Sequence, residues 1–286
     1  MLSNKVREIM TTQLTTAPVS ATVFETMQRM VGEDVGRIII VDNEVPVGIF
    51  TEKDVLKRVV GAEIDAKTAG IKSVMTAPIR AVREETHIIE AFARMFRSKF
   101  RHLLVRGRRG KIIGIVSMRR ILTLAVELGQ GLSETSSLGE IGAAAFVSLD
   151  ESSTVRETVA LMNQQGVSAV IITGAGKPTG IFTERDLLKR VATKDTDLNT
   201  TMVKQVMTAP LLTMPSSALI GVVLAEMSRR DIRNMPVVGD HDELVGLVAM
   251  PEILQYARAF DIDEQVRRSW REVAAELDSD DQYTPG

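Results

Sequence analysis

Apolar positions along the chain fall into two kinds of segment that alternate, and the alternation recurs four times. Stripes at helical spacing run through Val23, Met27 and Met30, then Ile88, Phe92 and Met95, then Val155, Val159 and Met162, then Ile220, Leu224 and Met227. That spacing puts each set on one buried helix face. A short extended segment precedes each stripe: Thr15–Val19, Ile79–Val82, Ala145–Leu149 and Leu211–Met214. Two short apolar runs around a polar turn follow, as in Ile38–Val41 and Val47–Phe50 around Asn43 and Glu44, which predicts a hairpin. A second helix then opens at Thr51, Ser117, Thr183 and near Ala249. The predicted fold is α/β (α+β), four tandem β-α-β-β-α units.

Individual columns repeat with the pattern. Gly48-Ile-Phe-Thr-Glu-Lys-Asp54 returns as Gly180-Ile-Phe-Thr-Glu-Arg-Asp186, and the glycines 48, 114, 180 and 246 are spaced by 66 residues. Val74-Met-Thr-Ala-Pro78 likewise matches Val206-Met-Thr-Ala-Pro210. A unit of ~60 residues buries too little surface to be comfortable alone, so pairing is expected. The sequence reads as two pairs, 1–128 (units about 5–60 and 71–126) and 138–260 (units about 138–192 and 203–258), joined by a Gly- and Ser-rich linker at 129–137. Val266, Trp270, Val273 and Leu277 predict an amphipathic helix within a C-terminal segment at 261–286.

Composition narrows the chemistry. The 286 residues contain no cysteine and only three histidines (His87, His102, His241), which excludes thiolate chemistry and disulfides and leaves no histidine cluster for a metal. Apolar runs stay far below the ~20 residues of a membrane span, and Lys5, Arg7 and Glu8 precede any long apolar stretch. A cytoplasmic protein is expected. The net charge is −2; from Asp261 onward eight acids face three bases, a local −5 that leaves +3 for residues 1–260. A nucleic-acid-associated regulator using basic strand edges is the alternative reading; the acidic tail, the modest positive body and only 4% aromatics for base stacking stand against it. Gly174–Gly180 lacks the phosphate-loop spacing and sits where other units have their turn, so no nucleotide-hydrolysing motif is present and no enzyme is expected.

Thr51-x-x-Asp54 and Thr183-x-x-Asp186 fit a helix cap, a Thr at the first position with an acid three residues on. Yet only the first and third units keep it: the second has Ser117 with Arg120, the fourth Ala249 with Glu252. Segments 48–60 and 180–192 agree at 10 of 13 positions, while 35–46 and 167–178 agree at four of 12. Likeness between the odd units is thus concentrated around Thr-x-x-Asp. Lys53, Arg185 and the pairs Lys57-Arg58 and Lys189-Arg190 read as solvent-facing helix charges.

Unit order, unit length and the Gly-Ile-Phe-Thr-x-x-Asp signature, over roughly residues 5–258, resemble the CBS domain, whose pairs form Bateman modules. A chain of four resembles the gamma subunit of AMP-activated protein kinase and, more closely, stand-alone archaeal CBS proteins. The resemblance implies a non-catalytic sensor of AMP, ADP, ATP, S-adenosylmethionine or sometimes NAD, with ligand in clefts between paired units, a homodimeric assembly and a regulated partner protein. It implies that Asp54 and Asp186 accept the ribose hydroxyls and that Thr51 and Thr183 contact sugar or α-phosphate. Arg37, Arg101, His102 and Arg233, just before or at the second strand, would meet phosphate; the third unit has Ser168 and Ala169 there. Thr16 and Ser148, one column of the first extended segment, would run past the base, and Ser117 would stand in for the threonine.

Overall fold

The computed structural model describes residues 4–98, 100–121, 137–141 and 145–250. The predicted C-terminal helix and acidic tail and nearly all of the linker lie outside these residues. Each repeat builds one three-stranded sheet. In the first, β1 (Thr16–Pro18) pairs parallel with β2 (Arg37–Asp42), which pairs antiparallel with β3 (Val45–Thr51). The others follow suit: β4 (Ala81–Arg83), β5 (His102–Arg106) and β6 (Ile112–Ser117); β7 (Ser148–Asp150), β8 (Ala169–Gly174) and β9 (Lys177–Thr183); β10 (Met214–Pro215), β11 (Asn234–Val238) and β12 (Leu244–Ala249). A parallel pair needs a crossover. The helices Val23–Gly32, Ile88–Arg97, Val155–Gln165 and Ile220–Arg229 supply it. Every residue of the four predicted stripes is buried, none more than 7% exposed. Among the described residues no helix is long and apolar enough to cross a membrane.

Compactness groups alternate repeats rather than neighbours. One unit comprises Gln13–Arg80 and Ala145–Thr213, the first and third repeats; the other comprises Met1–Thr12, Ala81–Ala144 and Met214–Gly286. In the first–third unit, Met27, Met30, Val159 and Met162 belong to one core with Leu56, Val59, Leu188 and Val191. The chain also crosses back over the first repeat after leaving it. Val74–Pro78, which opens the second repeat in sequence, folds against the first: Thr76 and Ile49 exchange backbone hydrogen bonds of 2.8 and 3.0 Å, and Thr208 and Ile181 repeat the pair at 2.8 and 3.0 Å. This crossing explains the glycines at 48 and 180. A Cβ at Gly180 would lie 2.8 Å from the Thr208 carbonyl oxygen and 2.6 Å from Met207 Sδ, and one at Gly48 only 2.4 Å from Met75 Sδ.

The second helix of the odd repeats is not plain α. One α turn, Glu52–Asp54 or Glu184–Asp186, widens into a π-helical stretch, Val55–Val60 or Leu187–Ala192. The Gly61 and Ile64 N–H groups accordingly bond to the Leu56 and Val59 carbonyls, five residues back. Such stretches are rare and gather at functional sites.

Candidate functional site

Where β3 ends, Thr51 keeps an extended backbone (φ −136°, ψ 166°) while the next residue is already helical. That places its side chain over the free N–H groups of the new helix. Its Oγ1 accepts from the Asp54 N–H at 3.4 Å, and its own N–H and hydroxyl donate to Asp54 Oδ2 at 2.9 and 2.7 Å. The third repeat copies this: Thr183 N–H and hydroxyl donate to Asp186 Oδ2 at 3.0 and 2.6 Å, and the Asp186 N–H returns to Thr183 at 3.2 Å. The cap expected from spacing is therefore formed at both places.

The other carboxylate oxygen is held from a distance in sequence. Thr76 donates its hydroxyl to Asp54 Oδ1 at 3.1 Å, and Thr208 donates to Asp186 Oδ1 at 2.8 Å. Arg58 Nη1 lies 3.5 Å from Asp54 Oδ1 and donates to the Val74 and Met75 carbonyls and to Thr76 at 3.2, 2.9 and 3.2 Å. Arg190 lies 3.3 Å from Asp186 Oδ1 and donates to the Val206 and Met207 carbonyls. The aspartates are only 7% and 6% exposed. Arg58 and Arg190 are exposed, as expected of solvent-facing charges, and in addition tie the aspartate to the crossing segment. Thr76 and Thr208 escaped sequence reasoning, although the repeated Val-Met-Thr-Ala-Pro column marked them.

Ties of this kind also run across the first–third unit. Glu52, 2% exposed, receives Arg185 Nε at 3.2 Å, and Lys189 pairs with Asp34. The Lys189 hydrogen bond, helped by its charge, holds the Asp34 carboxyl below its ordinary range. Lys57 remains exposed. A separate cavity of about 330 Å³ in this unit is lined by Met27, Val59, Ile64, Arg156, Val191 and Leu198 among others, and by none of the cradle residues.

The hairpin registers place the cation column. Arg37 aligns with Thr51, and His102 aligns with Ser117, with Arg101 just before it. Asn234 aligns with Ala249, so Arg233 immediately precedes that row, and Ala169 aligns with Thr183 in the third repeat. Thr16 aligns with Ile39, two residues from Arg37, and Ser148 with Ile171. Thr16, Arg37, Thr51 and Asp54 therefore share one region of the first repeat, and Ser148, Thr183 and Asp186 the matching region of the third. Arg101, His102, Ser117 and Arg233 belong to the other compact unit. There Ser117 Oγ accepts from the Arg120 N–H at 3.1 Å, a cap without an acid. Glu252 lies outside the described residues. Among the described residues no group of three or more His, Asp or Glu side chains could hold a metal ion.

Comparison with known proteins agrees with this repeat structure. The family model described as the CBS domain matches residues 6–61, 71–127, 138–193 and 203–259. A CBS domain-containing protein of Arabidopsis thaliana is 26% identical over 300 residues, spanning 89% of this chain and 54% of its own length. The meiotically up-regulated gene 70 protein of Schizosaccharomyces pombe is 26% identical over 297 residues, spanning 82% of this chain and 41% of its own. The chain spans about half the length of the curated relatives it matches. A Methanocaldococcus jannaschii protein, described as a proposed archaeal homologue of γ-AMPK, superposes with a TM-score of 0.77 at 16% identity, covering 88% of this chain and 99% of that one. An uncharacterised conserved protein from Pyrococcus horikoshii gives 0.58 at 18% identity, with coverages of 88% and 99%. At these identities the two structures establish likeness of fold.

Proposed function

Because the chain belongs to the CBS-domain family, carrying four copies of the domain in tandem, we propose that it is a non-catalytic regulatory protein that senses an adenine nucleotide (AMP, ADP or ATP) or another adenosyl ligand such as S-adenosylmethionine. The observation that carries this reading is the cradle built twice, Thr51, Asp54, Arg58 and Thr76 and then Thr183, Asp186, Arg190 and Thr208. A helix start needs a cap, but it does not need a carboxylate whose second oxygen is held by a hydroxyl 22 residues away.

A carboxylate offers about four acceptor positions. At Asp54 three are engaged, by the Thr51 N–H and by the hydroxyls of Thr51 and Thr76. The two hydroxyls rotate freely about their C–O bonds, so neighbouring ribose hydroxyls can replace them without moving the backbone. Charge-assisted bonds of this kind contribute roughly 1.5–3 kcal/mol each. Arg37, in the row of Thr51, is the group we assign to phosphate in the first repeat. Ala169 occupies that row in the third, so the Asp186 site should depend less on phosphate. Acting as a homodimer on a partner protein, the chain would report ligand through its differential affinity for two arrangements.

A thermal-shift panel with AMP, ADP, ATP, S-adenosylmethionine and NAD, with GTP as the control, tests the ligand class. A rise in melting temperature with at least one adenosyl compound, no rise with GTP and no release of phosphate support the reading; steady phosphate release would replace it with an enzyme.

A further inference from the structure

The β-hairpin turn occurs four times in this chain, and folding asks of it only a turn. The tips differ sharply in charge. Asp42-Asn-Glu44 carries −2, Lys177 gives the third tip +1, and Asp240, Asp242 and Glu243 give the fourth −3. The second tip, Arg106-Gly-Arg-Arg-Gly-Lys111, carries +4. The repeat to which it belongs, residues 79–121, holds twelve Lys and Arg against three acids, +9 within a chain of −2. The near-neutral whole-chain balance conceals this concentration.

The tip keeps its shape without those side chains. Gly107 N–H bonds to the Lys111 carbonyl at 2.9 Å and Gly110 N–H to the Gly107 carbonyl at 2.9 Å, with Gly110 at φ +78°. Arg106, Arg108, Arg109 and Lys111 are all exposed, Arg108 at 81%. Arg83, also exposed, aligns with Arg106 on the neighbouring strand. Glu85 is engaged by Arg7 at 2.6 Å and reaches Arg108 at 3.5 Å, while Glu84 accepts the Arg108 backbone N–H at 2.9 Å. Arg83, Arg106, Arg109 and Lys111 have no ion-pair partner among the described residues.

We propose that this hairpin of the second repeat is a docking surface for the phosphate backbone of a nucleic acid, bound without regard to base sequence. Of the five cations, Arg83 ends β4 and the other four stand on the β5–β6 tip, a two-stranded ribbon of a shape that a major groove admits. Four of the five are arginines, whose planar fork matches phosphate oxygens. The tip between Arg106 and Lys111 contains no apolar or aromatic side chain. An acidic protein partner would need an apolar anchor there, whereas backbone binding is driven by counterion release alone. The absence of aromatics also removes base stacking, leaving sequence-independent contacts.

The test is fluorescence anisotropy of the full chain with a labelled 20-nucleotide oligouridylate and a 20-base-pair DNA duplex, between 25 and 200 mM KCl. Four phosphate contacts predict a log–log salt slope of about −3 to −4. Arg108→Glu with Arg109→Glu should weaken binding more than tenfold while melting temperature and adenine-nucleotide binding stay unchanged. If that variant melts early, Arg106→Gln with Lys111→Gln should flatten the slope by about two contacts' worth. The proposal falls if neither nucleic acid binds at 25 mM KCl or if the folded variants bind as the parent does. Polyglutamate or anionic vesicles binding as tightly at equal charge would also overturn it, pointing to an acidic protein or a membrane.

Discussion

Replacing Thr76 with valine keeps the side-chain shape and removes one hydroxyl. That hydroxyl donates to Asp54 Oδ1 at 3.1 Å and accepts from Arg58 at 3.2 Å. Asp54 is 7% exposed, so water replaces the lost donor poorly. A hydrogen bond to a charged group contributes about 1.5–3 kcal/mol. Arg58, already 3.5 Å from the same oxygen and half exposed, can swing in and offset part of it. The expected cost to folding is therefore at the low end, about 1.5 kcal/mol. Ligand affinity should move the other way. A ribose hydroxyl arriving at Oδ1 no longer has to displace Thr76, so binding at the first site should tighten, by up to about tenfold, equivalent to ~1.4 kcal/mol. Urea denaturation followed by circular dichroism reads the first effect, and nucleotide titration reads the second. Asp54→Ala, by contrast, should lower both. Unchanged stability would refute the Thr76–Asp54 contact, and affinity falling alongside stability would refute exchange of hydroxyls at Oδ1.

Three further outcomes follow from the packing. Gly180→Ala should cost about 2–3 kcal/mol and Gly48→Ala about 1 kcal/mol, because a Cβ at 180 meets a backbone carbonyl at 2.8 Å while the three nearest atoms to one at 48 all belong to the flexible Met75 side chain; chemical denaturation gives the order. Arg185→Met removes one charge-assisted bond from the Glu52 carboxylate, which is 2% exposed, and should cost about 1.5–3 kcal/mol, read by urea denaturation. Asp34 has a folded pKa depressed by Lys189, so the pair's stabilisation is full above the unfolded carboxylate's value near ~4 and is lost as pH falls through the lower folded value. Lys189→Met should therefore melt earlier than the parent at pH 7, with the two curves converging as the pH falls through that lowered folded value.

Much of the architecture could be read from the chain because it rests on periodicity. The 66-residue spacing of glycines, the four stripes and the hairpins all survive in the structure. Which repeats form a compact unit could not be read that way. All four stripes present similar apolar faces, so the pattern says that faces are buried but not against which partner. The π-helical stretch at Val55–Val60 differs from an α-helix by a one-residue shift in hydrogen bonding, and no residue type announces it. Thr51 and Asp54 were visible because three residues separate them. Thr76 and Arg58 reach the same carboxylate from 22 and four residues away, and only the fold brings the crossing segment back over Gly48. The basic hairpin does not show in the net charge, because hundreds of residues contribute to that balance and only six, Arg106–Lys111, form the tip.

The central claim is that the two Thr-Asp cradles are nucleotide sites and not helix caps alone. Isothermal titration of the protein and of Asp54→Ala and Asp186→Ala, with AMP, ADP, ATP and S-adenosylmethionine, addresses it directly, with melting temperatures recorded for each variant. The account predicts that one of these ligands binds the parent protein and that each folded variant loses about one equivalent. Folded variants that bind with the parent's stoichiometry and affinity, or a parent that takes up none of the four, would contradict it.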